Sequence, residues 1–324
     1  MTIRISGTGS ALPDRILTNR ELEERVDTSD EWIRERTGIV TRHIADKETV
    51  ASLAAEACRR ALADAGKKAE EVELILLASC SSEMMLPCGA CRVQAEIAAQ
   101  NAAAFDINAA CSGFVFALQT ANAYIASGMY KNALVVGAEV LSGIVDPSDR
   151  NTCILFGDGA GAVFCEMSTG EGEGMIAALQ GSMGDRGGVL CCRAGHRRDA
   201  DYAEYPKKDA FVHMDGAEVY SFAVRTVPAC IEKLLDMAGM GAEEIDLFLL
   251  HQANIRIINS VAKRLKIPAD RFPSDLERVG NTSSAAIPLL LDELNKCGKI
   301  VRGCKLVLAA FGAGLTYGAC VLQW

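Results

Sequence analysis

Three residues of this sequence have the chemical type and the local setting of a covalent site. Cys111 follows a short apolar run, Ala104–Ile107, and precedes a long helical pattern, so it falls at or just before a helix N-terminus. Unpaired amides and the positive end of the helix dipole favour thiolate over thiol there. Its neighbours Ala109, Ala110, Ser112 and Gly113 are small enough to let an acyl group approach. The competing reading is a buried small hydrophobe, which is what most cysteines are. His251 follows the apolar run Asp246–Leu250 and opens HQANIR, at a strand end where α/β folds place functional groups. Asn281 lies in RVGNTSS (278–284), whose Gly280–Asn281 pair marks a tight turn. Together the three offer a nucleophile, a hydrogen-bond donor or base, and a fixed amide donor. The other histidines, His43, His196 and His213, stand in polar, loop-like stretches and read as solvated surface.

Other motifs carry less. SGTGSAL (6–12) lacks the third glycine of a dinucleotide fingerprint and reads as a strand end. FGDGAGA (156–162) lacks the Lys-Ser/Thr of a phosphate loop and reads as a turn between buried segments. AFGAG (310–314) closes an apolar run, and amides presented there could receive a thioester oxygen as it becomes negative. Cys88 and Cys91 form a lone C-x-x-C with no second pair at zinc spacing, so no metal site is expected. Cys320, in an alternating terminal strand, reads as core. Arg256 and Lys263 are seven residues apart and share one helical face, with Arg264 and Lys266 nearby. Beside His251 they are either a site for an acidic partner or phosphate, or an ordinary solvated face.

The elements that must position these residues are legible as alternating patterns. Leu74–Ala78, Ala133–Ala138, Leu247–Leu250 and Leu306–Ala310 are compact apolar runs, expected as strands covered on both faces. Thr49–Gly66, Ser112–Gly128, Gly216–Gly239 and Asn254–Lys266 have helical patterns, several closing at glycine. The class is α/β with mixed, mostly parallel sheets. Ala65–Ala78 aligns with Ala238–His251 at an offset of 173 without a gap, eight of 14 positions being identical. The same offset lays NAACSGFV (108–115) on NTSSAAIP (281–288), and one residue less lays ALVVGA (133–138) on KLVLAA (305–310). The chain therefore reads as two duplicated halves, 1–170 and 171–324, joined through STGEGEG (168–174) and related by a pseudo-twofold axis. That axis would bring the loops of Cys111, His251 and Asn281 towards one point.

Composition sets the class limits. The 324 residues carry 42 acidic and 33 basic side chains, a net charge of −9 that argues against general nucleic-acid binding. There is no run of about 20 uncharged apolar residues, so no membrane span is expected. The first residues lack a signal-peptide apolar region, so the thirteen cysteines are expected reduced and the protein cytoplasmic.

Cys111 in NAACSGF, His251 in HQANIR, Asn281 in GNTSSA and the closing FGAGLTYG resemble the 3-oxoacyl-[acyl-carrier-protein] synthase III family of thiolase-like condensing enzymes. VDTSDEWI (26–33), TGI (37–39) and PSDR (147–150) extend the resemblance over essentially the whole chain. It implies a thiolase-like fold, two duplicated halves in a five-layer αβαβα arrangement, in a homodimer without cofactor. It implies that Cys111 takes the acyl group of a starter acyl-CoA, and that His251 and Asn281 stabilise the enolate formed by decarboxylation of malonyl-ACP. Backbone amides of Cys111 and Ala313 would hold the thioester oxyanion. Thr28, Trp32, Arg36, Arg150 and Asn254 would contact CoA, and Arg256 with Lys263 the acidic acyl carrier protein. Leu86, across the dimer, and Phe156 would line the primer pocket.

Two departures from the family pattern bear on the site. Ala313 stands where many members have glycine, which would be strained if the position needed positive φ. Met85 and Leu86 precede Pro87 where phenylalanine is frequent, which could admit a longer or branched primer. The spacing of Cys111, His251 and Asn281 also resembles papain-like proteases, but their C-G-[SA]-C-[WY] signature is absent. A related condensing enzyme of secondary metabolism with another acyl donor or acceptor is the nearer alternative, and a catalytically dead binding homologue the non-enzymatic one.

Overall fold

The computed structural model describes residues 2–168, 170, 173–193 and 211–324. Thr169, Glu171 and Gly172 of the expected linker, and His196, lie outside the described residues. In chain order the elements are β1 (Ile3–Ala11), β2 (Ile16–Thr18), α1 (Asn19–Glu23), α2 (Asp30–Thr37), β3 (Thr41–His43), α3 (Val50–Ala65), β4 (Leu74–Ala78), α4 (Gly89–Glu96), β5 (Ala103–Ile107), α5 (Gly113–Ala126), β6 (Asn132–Glu139), α6 (Arg150–Cys153) and β7 (Gly159–Met167). There follow β8 (Gly174–Ser182), β9 (Leu190–Cys192), β10 (Val212–Met214), α7 (Gly216–Ala238), β11 (Leu247–Leu250), α8 (Ile255–Leu265), α9 (Leu276–Val279), α10 (Ala286–Lys296), β12 (Lys305–Gly312) and β13 (Thr316–Gln323).

The main helices start and stop where local chemistry dictates. Thr49 caps α3 through a capping box with Ser52, and Gly66 ends it in the left-handed region at φ 64°. The Asp215 carboxylate caps α7, which ends at Gly239 with φ 65°. Asn254 caps α8 by accepting from the Arg256 amide.

Two sheets, ordered β1-β7-β6-β4-β5 and β11-β12-β13-β8, face each other across α5 and α10. Alternation along the strands builds these layers. Leu74, Leu76 and Ala78 of β4 and Leu306, Leu308 and Ala310 of β12 point inward onto the two central helices. Ile75 and Leu77 point outward under α3 and α4, while Val307, Ala309 and Phe311 point outward under α7 and α8. The result is the expected five-layer αβαβα stack, and each fully buried Leu or Ile in it contributes about 1.5–3 kcal/mol.

The sheets are mixed, but the weighting towards parallel pairing does not hold. Among the described strands, parallel pairing joins β4 with β5 and β6, and β11 with β12. β1, β7, β8 and β13 pair antiparallel. Burial on both faces erases polar alternation whatever the strand direction, so apolar runs could not report it. The glycine-rich segments are also more regular than expected. Residues 6–11 belong to β1 and residues 159–162 to β7. Glycine is needed in β1 because α3 presses on it: a Cβ on Gly7 would come within 2.3 Å of the Ala61 carbonyl oxygen.

None of the thirteen cysteines is in a disulfide, and Cys320 is wholly buried in β13. No helix of the described residues is long and apolar enough to cross a membrane. No His, Cys, Asp and Glu cluster among the described residues could hold a metal ion.

Candidate active site

Cys111 stands in a single 3-10 turn, Ala110–Ser112, between β5 and α5. Ala110 is held at φ 46°, a conformation uncommon for a residue with a side chain. Gly312 at the end of β12 packs directly on this turn. A Cβ there would lie 2.8 Å from the Cys111 amide nitrogen, so no larger residue fits without moving the cysteine. Burial pushes the Cys111 thiol up to about 12; the Ser283 hydroxyl nearby eases it down, and Glu139 adds to the rise. Burial thus works against the thiolate bias of the helix end.

His251 leaves the end of β11, its amide bonded to the Ala309 carbonyl at 2.9 Å. The ring is 2% exposed and stands edge-on to Phe311, with centroids 5.2 Å apart. Its Nδ1 has no protein hydrogen-bond partner. Burial alone drives its pKa down to about 3, so the imidazole is neutral at physiological pH and carries one N–H.

Asn281 is fixed through its backbone and its side chain. Its amide donates to the Leu155 carbonyl at 2.9 Å, and its carbonyl accepts from the Gly157 amide at 3.0 Å. Its Oδ1 accepts from the Ser283 amide at 3.0 Å. That bond leaves Nδ2 as the free donor of the carboxamide. Ser283 takes φ 51°, the second left-handed non-glycine residue of the site, 173 positions after Ala110.

Cys111, His251 and Asn281 line one cavity of about 520 Å³. Trp32, Arg36, Asn254, Arg256 and Phe156 share its wall. Arg150 stacks over the Trp32 ring at 4.2 Å and Arg36 lies 5.8 Å from it, so the indole is flanked by two cations. The Asn254 side chain ties two elements together, donating to the Arg36 carbonyl at 2.9 Å while it caps α8. Arg256 also faces the ring of Tyr220 at 5.7 Å, and Lys263 is exposed on the same helix. Thr28, whose buried hydroxyl has no partner, and Arg150 are outside that wall.

A second cavity of about 270 Å³ lies against Cys111 from another side. Phe156, Cys80, Cys191, Ser283 and Ala313 are among its lining residues. Ala313 is not in the left-handed region; Gly314 takes the positive φ, so alanine at 313 carries no such strain. Leu86 lines neither cavity of its own chain and is 82% exposed in the loop before α4. His43 is half-buried, and its Nδ1 lies 2.6 Å from the Pro13 carbonyl oxygen. Sequence reasoning missed Ser283, Cys80 and the buried Glu139. The only available signal was the offset that pairs Ser283 with Ala110.

The fold and the site together define a condensing acyltransferase of the thiolase-like class. Residues 105–184 match the family model described as 3-oxoacyl-[acyl-carrier-protein (ACP)] synthase III, and residues 235–324 the one described as its C terminal. The chain belongs to the 3-oxoacyl-[acyl-carrier-protein] synthase III family. A beta-ketoacyl-[acyl-carrier-protein] synthase III of Clostridium acetobutylicum is 47% identical over 323 residues, 100% of this chain and 99% of that protein. The crystal structure of 3-oxoacyl-[acyl-carrier-protein] synthase III from Aquifex aeolicus is similar at TM-score 0.92 and 43% identity, covering 99% of this chain and 100% of that one. A priming beta-ketosynthase of the R1128 polyketide pathway is similar at TM-score 0.92 and 34% identity, over 99% and 96%.

Proposed function

We propose that the protein starts fatty acid synthesis by decarboxylative condensation of a starter acyl-CoA with malonyl-ACP. The observation that carries this is the set of Cys111, His251 and Asn281 on one cavity, with a second cavity adjoining the same thiol. The Cys111 sulfur attacks the acyl-CoA carbonyl, the thiol proton ends on the departing CoA sulfur, and an acyl-Cys111 thioester remains. Malonyl-ACP then loses carbon dioxide. The enolate oxygen is met by the N–H of neutral His251 and by Nδ2 of Asn281, and its carbon attacks the thioester. Amides of Cys111 and Ala313 hold the oxyanion, Cys111 leaves as thiolate and takes up a proton from water, and 3-oxoacyl-ACP is formed. Neutral donors suit this chemistry, because a hydrogen bond to developing negative charge strengthens in the transition state.

The CoA nucleotide is assigned to Trp32, Arg36 and Arg150, with Thr28 and Asn254 along the pantetheine arm. Arg256 and Lys263 receive the acidic carrier protein. Leu86 and Phe156 belong to the primer pocket, Leu86 reaching the partner subunit in a cytoplasmic homodimer; its exposure beside Met84 and Met85 supports that. The halves 1–170 and 171–324 are read as duplicates. Left-handed turns at Ala110 and Ser283, and left-handed caps at Gly66 and Gly239, recur at the same offset of 173.

Incubation with acyl-CoA is expected to add one acyl group, mapped to Cys111 by mass spectrometry, and malonyl-ACP is expected to discharge it with release of carbon dioxide. An acyl group on another residue, or one that malonyl-ACP cannot discharge, would overturn the proposal. Discharge by malonyl-CoA in preference to malonyl-ACP would favour the secondary-metabolism reading.

Arg256→Glu is expected to raise the apparent KM for malonyl-ACP about tenfold and to leave acyl-CoA loading nearly unchanged. Equal damage to both steps would remove the carrier-docking role. Turnover with acetyl-CoA and isobutyryl-CoA is expected to be comparable, because leucine replaces the bulkier aromatic at 86. Strict preference for acetyl-CoA would show that other residues close the pocket.

A further inference from the structure

Glu139 is wholly buried at the end of β6, and no cation among the described residues forms an ion pair with it. Burial raises its pKa, and hydrogen bonds from neighbouring groups offset part of that. Its Oε2 accepts from the Ser81 hydroxyl at 2.5 Å, the Ser79 hydroxyl at 3.2 Å and the Cys80 amide at 3.1 Å. Its Oε1 lies 2.8 Å from the Ser284 hydroxyl, which is also 2.9 Å from the Ala78 carbonyl oxygen. One carboxyl thus joins three chain segments: its own strand, the loop after β4, and the turn that carries Asn281.

The last of these contacts leads to the proposed chemistry. Ser284 follows Ser283, whose amide holds Oδ1 of Asn281 at 3.0 Å. Ser283 sits at φ 51°, a conformation that persists only when its surroundings hold it. The Ser283 hydroxyl is turned to the Cys111 and Cys80 thiols, so what ties the turn to β6 is its backbone and Ser284. β6 is brought against this turn by Gly137, where a Cβ would come within 2.3 Å of the Ser284 carbonyl oxygen. On its other side, Glu139 holds Cys80 in the wall of the cavity beside Cys111.

We infer that Glu139 is a positioning residue for condensation: through Ser284 and Ser283 it fixes the Asn281 carboxamide with Nδ2 towards the cavity. The inference rests on the role given to Asn281 above. It makes the two half-reactions unequal, because acyl transfer to Cys111 needs no carboxamide and decarboxylation does.

The test compares wild type, Glu139→Ala, Glu139→Gln and Ser284→Ala in two single-turnover assays. One is loading by acyl-CoA, and the other is discharge of preloaded acyl-enzyme by malonyl-ACP. Glu139→Ala is expected to load within a few-fold of wild type and to condense about 10²-fold more slowly, a size typical of small misplacement of a reacting group. The loss should fall on the rate at saturation, with KM for malonyl-ACP little changed. Glu139→Gln keeps an acceptor oxygen and should recover most of the loss. Ser284→Ala removes the same link, together with the Ser284 bond to the Ala78 carbonyl, without unpairing the carboxyl, and should show the same selectivity even if Glu139→Ala fails to fold. In Asn281→Ala, adding Glu139→Ala should cost little more, because both act through one group. Equal loss in both assays, or multiplicative losses in the double variant, would overturn the proposal. If Asn281→Ala alone condensed normally, the role of Asn281 would be the reading that failed.

Discussion

Cys111→Ser is expected to take up no acyl group from acyl-CoA and to lose condensation by about 10⁴-fold or more, with fold and melting temperature nearly unchanged. The size follows from the absence of a base at the nucleophile. His251 is neutral but has its ring set against Phe311, and the described residues show no hydrogen bond from it to Cys111. A thiol gives up its proton to the departing CoA sulfur far more readily than a hydroxyl, which needs a strong base to take its proton. The substitution changes one atom in a turn already closed by Gly312 and Ala110, so packing is preserved. Intact mass after incubation with acyl-CoA reads the first effect and thermal unfolding the second. Acyl uptake by the serine variant would move the nucleophile elsewhere. Cys80 is the first thiol to examine, although burial and Glu139 hold it well above its ordinary range.

His251→Ala and Asn281→Ala are each expected to load acyl groups normally and to lose malonyl-ACP decarboxylation by about 10²–10³-fold, the cost of one donor to a developing oxyanion. Neither side chain has a hydrogen bond to the thiol, and both face the larger cavity. The pH profile gives a second check. Because burial lowers the His251 pKa from 6.5 to about 3, the ring stays neutral as pH falls through 6.5. Condensation should therefore show no inflection near pH 6.5, and one there would mean that the imidazole titrates in solution. If His251→Ala lost loading as fully as Cys111→Ser, the histidine would be the obligatory base of the thiol.

How far the site was legible depended on how local each signal was. Caps at Thr49 and Asn254 and stops at Gly66 and Gly239 act within one turn of backbone, and they stand where the sequence put them. Cys111, His251 and Asn281 were separable from other residues of their type because each follows or forms a turn at an element end. The resting charge of Cys111 was not legible. It depends on desolvation by atoms from β12 and the Asn281 turn, which no window around residue 111 contains. Glu139 was hidden for the same reason. Its partners Ser79, Ser81 and Ser284 come from two distant segments, and in sequence it is one acidic residue after an apolar run.

Residue patterns alone establish the α/β class, the main helix limits, the offset of 173 and the three residues around which a covalent site could form. These rest on periodicity, capping and turn chemistry, which are short-range. Strand direction follows only from the assembled sheets, since burial on both faces leaves no trace of it in the residue pattern. The same assembly sets the ionisation of the site. Burial pushes the Cys111 thiol and the Glu139 carboxyl up and the His251 imidazole down, because packing takes water from around them. Solvation is a property of the assembled fold, and side-chain chemistry follows it.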